Sequence, residues 1–277
     1  MVKLFFYTGL YLQVLVVFLL TYFLTAGAAY WLLYINKKER LRGRKIQDRE
    51  AKKQAIYREI KCSLISMLVL ALFSLPVVIC YQNGYTVLYS TIMPRGWIYF
   101  FGSIVICILI NDTYFYWLHR FMHLKAVFPL VHKTHHLSKT PTPWAIYSFS
   151  PVETFIDFAI FPLLIFFVPL HIVAIGIVIG YNHFMNLGGH FGFEFVPVKW
   201  HRHWLFRYGL SVTHHDMHHS KVNCNYGLYF NIWDRLMRTN HRDYEATLQK
   251  MEDKIKNQKI HAYANDQRKN SCSEIHQ

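Results

Sequence analysis

The stretch LFFYTGLYLQVLVVFLLTYFLTAGAAYWLLYI, residues 4–35, contains no Asp, Glu, Lys or Arg. About 20 apolar residues cross a bilayer as a helix, so this run spans one with length to spare. A cleaved signal peptide would have a far shorter apolar core. Residues 36–61 follow with eleven Lys/Arg against four acids. They read as a solvated, partly helical linker, which the positive-inside bias places in the cytoplasm. The next apolar run, about 62–82, leads away from that side. Residues 83–96 then form a short outer loop or re-entrant piece, and 97–118 return. Residues 152–170 and 171–189 form two tilted spans or one hairpin dipping into the membrane, with Pro162 and Pro169 interrupting the first. From about residue 238 the chain is polar and basic with little apolar periodicity, and is expected to be a flexible tail.

The fold class expected is all-α, an integral membrane helical bundle of about four to five membrane helices with a cytoplasmic helical cap. Four segments follow: 1–61, the first membrane helix and basic linker; 62–96, the second helix and outer loop; 97–238, a histidine-rich catalytic domain; and 239–277, the polar basic tail.

Composition agrees. Of 277 residues, 53% are apolar or aromatic, and the excess is blocked rather than spread. The formal charge of +14 sits beside apolar blocks, which fits membrane orientation better than nucleic-acid binding, for which no motif is present. The five cysteines (Cys62, Cys80, Cys107, Cys224, Cys272) are scattered, odd in number and form no CxxC. A disulfide framework or thiolate metal site is therefore not expected.

Histidine is the anomaly: 14 of 17 fall between His119 and His219. HRFMH puts His119 and His123 on one helix face, about 6 Å apart. In HKTHH, His132 shares a face with His135 at i, i+3 and with His136 at i, i+4. The adjacent pair diverges by about 100° and can address two different metals. HDMHH repeats the spacing with His215, His218 and His219, preceded by His214. Imidazole suits Zn, Cu, Fe and Ni, and this many exceeds what one tetrahedral zinc takes. Two metals with open positions fit better. A metal transporter would instead place ionisable ligands at mid-membrane on broken helices; these lie at span ends.

HRFMH, HKTHH and HDMHH, in this order, resemble the boxes of the fatty acid hydroxylase/sterol desaturase superfamily. The flanks SKTPTPWAIYSFSPVE (138–153) and HHDMHHSKVNCNYGLYFNIWDRLM (214–237) are similar to those of sterol C5-desaturases (lathosterol oxidases). C4-methyl sterol oxidases and sphinganine hydroxylases share similar NYG…WDR endings. The resemblance covers roughly residues 97–238. It implies a non-haem di-iron oxidoreductase that uses O2 to desaturate or hydroxylate an unactivated C–H bond of a sterol-like lipid, with zinc as a substitute metal in recombinant protein. The alternative keeps the site and changes the reaction, to a hydroxylase of a fatty acyl, sphingoid or carotenoid lipid.

The resemblance also adds a ligand, His190 in HFGFEFVP (190–197). Some hydroxylases carry a histidine four residues earlier, where this chain has Asn186; His183 and His214 are the other candidates to complete the shell. The metal set is thus His119, His123, His132, His135, His136, His190, His215, His218 and His219, all but His190 also read as catalytic. His201 and His203 match no box, and His171 is expected at the opposite membrane face. Asp216, Asp234 and Asp112 are candidates to orient imidazoles. An ion pair with Arg235 or Arg238 is the alternative for Asp234, and a helix cap that for Asp112. Tyr226 and Gly227 are expected to shape a turn near the site. No fused haem or iron–sulfur motif is present, so an external electron donor, a cytochrome b5 or a ferredoxin, is expected on the basic face. The membrane expected is the endoplasmic reticulum in a eukaryote or the inner membrane in a bacterium. The C-terminal SEIHQ (273–277) shows no lysine-type retrieval signal.

Overall fold

The computed structural model describes residues 2–92, 95–204 and 206–274. Part of the predicted outer loop (93–94) and the last three residues of SEIHQ lie outside them. Among the described residues there is no strand, only three isolated bridges.

Among the described residues, four helices are long and apolar enough to cross a membrane: Phe5–Asn36, Lys53–Gln82, Gly96–Met122 and Ile172–Gly189. The first is α1 (Val2–Tyr30) extended by a wider π turn, Trp31–Asn36. The second is α2 (Lys53–Gln82) and the third α3 (Gly96–Met122). Large apolar side chains cover their outer faces, with Ile98 92% exposed. Water would not tolerate such a surface, and lipid does. α2 begins well before residue 62, where its apolar run starts, because its basic first turns are anchored. There Glu59 is buried and accepts a hydrogen bond from Thr142 Oγ1 at 2.6 Å.

After α3 come a single turn, α4 (Lys133–His136), and a 3-10 turn, Pro143–Tyr147. The latter is bonded to α1 and α2: Tyr22 OH and Ser63 Oγ both donate to Trp144 O at 3.0 Å. Tyr22, Ala26, Met67, Ile146 and Leu187 form the core there.

The run 152–170 resolves into two short helices, α5 (Pro151–Phe158) and α6 (Ile160–Phe167). α5 starts on a capping box, Ser150 with Glu153, and Pro162 stands in the first turn of α6, where no N–H is needed. Ser150 Oγ donates to Val131 O at the histidine end, whereas Tyr89 N donates to Leu170 O at the opposite end. The pair therefore traverses the bundle, and α7 (Ile172–Gly189) returns. His171 sits at that far end, as expected: it caps α7 through Val173 N and contacts Ser90 O.

Beyond α7 lie α8 (Val198–Arg202), α9 (Val212–Lys221), α10 (Ile232–Leu236) and α11 (Tyr244–Glu274). α11 corrects the expectation of a flexible tail. Tyr244, Leu248 and Met251 recur at i, i+4 and i+7 and are buried, the first two clustering with Val198 and Met217. The linker is also more ordered than expected. Its residues 42–48 form a strap across the histidine end: Ile46 N donates to Gly192 O, Gly43 N to Gln258 Oε1, and Lys254 Nζ to Asp48 Oδ1.

Candidate metal centre

At the end of the bundle under this strap, nine histidines form two groups. His119, His123, His132, His136 and His218 make the first; His135, His190, His215 and His219 make the second. Within each group the donor nitrogens lie within 4.8 Å of one another. With metal–nitrogen bonds of about 2.1 Å, opposite ligands of one ion stand about 4.2 Å apart, so either group could hold a metal. The helical period sorts the adjacent pairs: His135 and His136 point into different groups, as do His218 and His219. The groups lie side by side, the His136 and His219 rings 5.2 Å apart and those of His132 and His135 5.3 Å.

Backbone carbonyls fix three tautomers. His119 Nδ1 donates to Tyr226 O (2.9 Å), His190 Nδ1 to Asn186 O (2.7 Å) and His218 Nδ1 to Cys224 O (2.7 Å). In a neutral ring each leaves an Nε2 lone pair facing its group. His218 Nε2 and both nitrogens of His136 are buried without a hydrogen-bond partner. Such atoms are costly unless something satisfies them. His132 Nδ1 lies 2.5 Å from Glu153 Oε1, and its Nε2 lies 2.9 Å from His119 Nε2. With Glu153 ionised, two lone pairs meet there, to be satisfied by a proton or a metal cation. Burial also keeps the rings neutral: it holds His135, His136, His215, His218 and His219 well below the usual imidazole range, and His190 down to about 4. Neutral imidazoles with inward lone pairs and no carboxylate among them fit a borderline transition metal.

Asp112 and Asp216 do not orient imidazoles as expected, and Asp234 reaches only His214, its Oδ2 3.5 Å from Nε2. Asp112 Oδ1 accepts from Tyr229 N and Phe230 N at 2.8 and 3.1 Å. Asp234 accepts from Tyr226 N, Gly227 N and Thr239 Oγ1 at 2.9, 2.8 and 2.6 Å, rather than pairing with Arg235 or Arg238. Both acids stretch the 224–230 segment so that its carbonyls reach His119 and His218, and Tyr226 and Gly227 do shape that turn. Asp216 faces away from the groups and accepts from Gln47 Nε2 of the strap at 2.9 Å.

His183 and His214 lie outside both groups. His183 is occupied by Thr25 Oγ1 and Tyr147 OH, and His214 Nε2 by Asn240 Oδ1. Asn186 contributes its carbonyl to His190. His201 is buried beside Tyr244, and His203 is exposed; neither joins a group. Glu153 is the residue that the sequence reading passed over. Its only local sign was the Ser150–Glu153 capping box, while its histidine partner lies 21 positions upstream.

The family model described as Fatty acid hydroxylase matches residues 104–239, which include all nine histidines. Lathosterol oxidase of Mus musculus is 30% identical over 218 residues, 78% of this chain and 69% of that protein. Lathosterol oxidase of Rattus norvegicus is 29% identical over 219 residues, with the same shares. A Delta(7)-sterol 5(6)-desaturase of Gibberella zeae is 28% identical over 225 residues, 76% of this chain and 63% of that protein. No solved structure matches. With its helical membrane bundle, paired histidine groups and these relatives, the chain belongs to the fatty acid hydroxylase family.

Proposed function

We propose that the protein is an O2-dependent di-iron lipid oxidoreductase that desaturates a sterol-like lipid. The observation that carries this reading is the pair of all-imidazole groups with inward lone pairs. The choice of a sterol follows the names of the relatives matched over most of the chain. Each group would hold one iron. When bound, the irons supply what no side chain can, the reductive activation of O2. Desaturation balances as O2, two electrons and two protons consumed with two substrate hydrogens, giving one C=C bond and two waters.

Everything else falls to the side chains. The carbonyls of Asn186, Cys224 and Tyr226 hold their Nδ1–H groups, so the Nε2 atoms keep one direction. Glu153 holds His132. The buried surroundings keep bulk water away from the reacting centre. The eleven basic residues of 36–61 support a cytoplasmic position for this end. Residence follows as the endoplasmic reticulum membrane in a eukaryote or the inner membrane in a bacterium. They also suit an acidic electron donor such as cytochrome b5 or a ferredoxin.

The test is expression with a panel of sterols and acyl lipids, metal counting on the purified protein, and mass spectrometry of products. Two irons per chain and loss of two hydrogens from a sterol are expected. Gain of one oxygen on an acyl lipid would favour the hydroxylase reading, which the family's description also suits. His135→Ala and His218→Ala should each abolish turnover with membrane insertion intact. A one-metal protein, or turnover surviving either substitution, would refute the di-iron assignment.

A further inference from the structure

A cleft of about 250 Å³ opens against the second histidine group, between the end of α7 and the start of α9. Phe184, Met185, Leu210, Val212 and Leu228 wall it, and His215 is where it meets the metal centre. Glycines keep it open. A Cβ on Gly189 would meet the His215 ring at 3.2 Å, whereas one on Gly188 would point into empty space. Two polar side chains besides His215 line it, Ser211 and Asn186. The Ser211 hydroxyl is committed to Tyr244 OH and His214 N, each at 3.0 Å. The Asn186 side-chain amide has no hydrogen bond among the described residues, although its carbonyl holds His190. An apolar pocket with one uncommitted amide is built to orient an apolar molecule that carries one polar group.

We propose that the Asn186 amide binds the hydroxyl of a 3-hydroxysterol and thereby sets which carbons face the metal centre; the assignment rests on the sterol reading above. Asn186 and His190 lie one helical turn apart on one face, about 6 Å between Cβ atoms. A hydroxyl held by the amide directs the carbons two and three bonds from the carbinol carbon, at roughly 1.5 Å per bond, toward the imidazoles. In a 3-hydroxysterol those carbons are C5 and C6, the bond named in the relatives' 5(6)-desaturation. The cleft is smaller than the roughly 300–1,000 Å³ that encloses a whole drug-sized ligand. It therefore takes the hydroxyl-bearing end alone. The rest of the lipid lies past Phe184, 63% exposed on the outer flank of α7.

The experiment uses the metal-loaded protein in lipid nanodiscs. Lathosterol and its 3-deoxy analogue compete against a photoreactive sterol, and metal content is read in parallel. Wild type should prefer the hydroxylated sterol by about tenfold, the worth of one net hydrogen bond. Asn186→Leu should bind both sterols equally with unchanged metal. Gly188→Leu should fill the cleft and weaken both with metal retained. A preference that survives Asn186→Leu, or metal lost from that variant, overturns the assignment; so does full binding by Gly188→Leu. Equal binding of the two sterols by wild type removes the role of Asn186 and leaves the sterol reading standing. Binding of neither removes the sterol reading itself.

Discussion

Glu153→Gln isolates the support that a buried carboxylate gives to an imidazole. Glu153 is fully buried, and its Oε1 lies 2.5 Å from His132 Nδ1. A hydrogen bond to a charged acceptor contributes about 1.5–3 kcal/mol, and one to a neutral acceptor about 0.5–1.5. Gln keeps the shape and an acceptor oxygen but loses the charge. The difference, about 1.4 kcal/mol, is a tenfold loss of affinity at the first metal site. Ala, which removes the acceptor altogether, should lose 10–100-fold, the usual range for such partners. Metal retention against chelators of graded strength, read as metal per chain, measures this directly. Glu59→Gln is the matched control: Glu59 is equally buried and bonded to Thr142. It should change thermal stability without changing metal retention. Wild-type chelator resistance in Glu153→Gln, or equal metal loss in Glu59→Gln, would refute the reasoning.

A Cβ on Gly227 would collide with the Phe230 carbonyl oxygen and come within 3.0 Å of Asp234 Oδ2. Gly227→Ala should therefore destabilise by about 1–3 kcal/mol, read as a lowered Tm, and loosen metal through His119. Burial lowers His190 and His201 from the usual 6.5 to about 4. Between those values the unfolded chain binds protons that the folded one refuses, so stability falls as pH falls, by about 3 kcal/mol for each fully coupled group. The metal-free protein should lose Tm steeply as pH falls from 6.5 toward 4 through these rings; a flat profile over that range would contradict this. Reduction by an acidic donor protein should slow severalfold between low and physiological salt, since exposed charges are screened beyond about 8–10 Å. A salt-independent rate would exclude the basic strap as its docking surface.

The sequence was most legible where period alone decides geometry. The 100° between neighbours on a helix separates His135 from His136 and His218 from His219, and the structure places each pair in two groups. Uncharged runs marked the spans for the same reason, since length and apolarity are all that a bilayer requires. Partnerships across distance were not legible. Asp216, between two box histidines, turns to Gln47, 169 positions away, and Glu153 reaches back to His132. Such pairings depend on where whole helices pack. The stripe Tyr244, Leu248, Met251 was present in the tail but sparse among charges, so composition hid a packed helix.

The strap has a consequence for biosynthesis. Its bonds to α11 join residues 215 and 206 positions apart, Gly43 with Gln258 and Asp48 with Lys254. That lid cannot latch until translation has passed Gln258, although the last box histidine, His219, is made earlier. At roughly 5–20 residues per second, the ribosome leaves an interval of seconds in which all nine imidazoles exist beneath an unfastened cover. Metal delivery during synthesis has that interval to act.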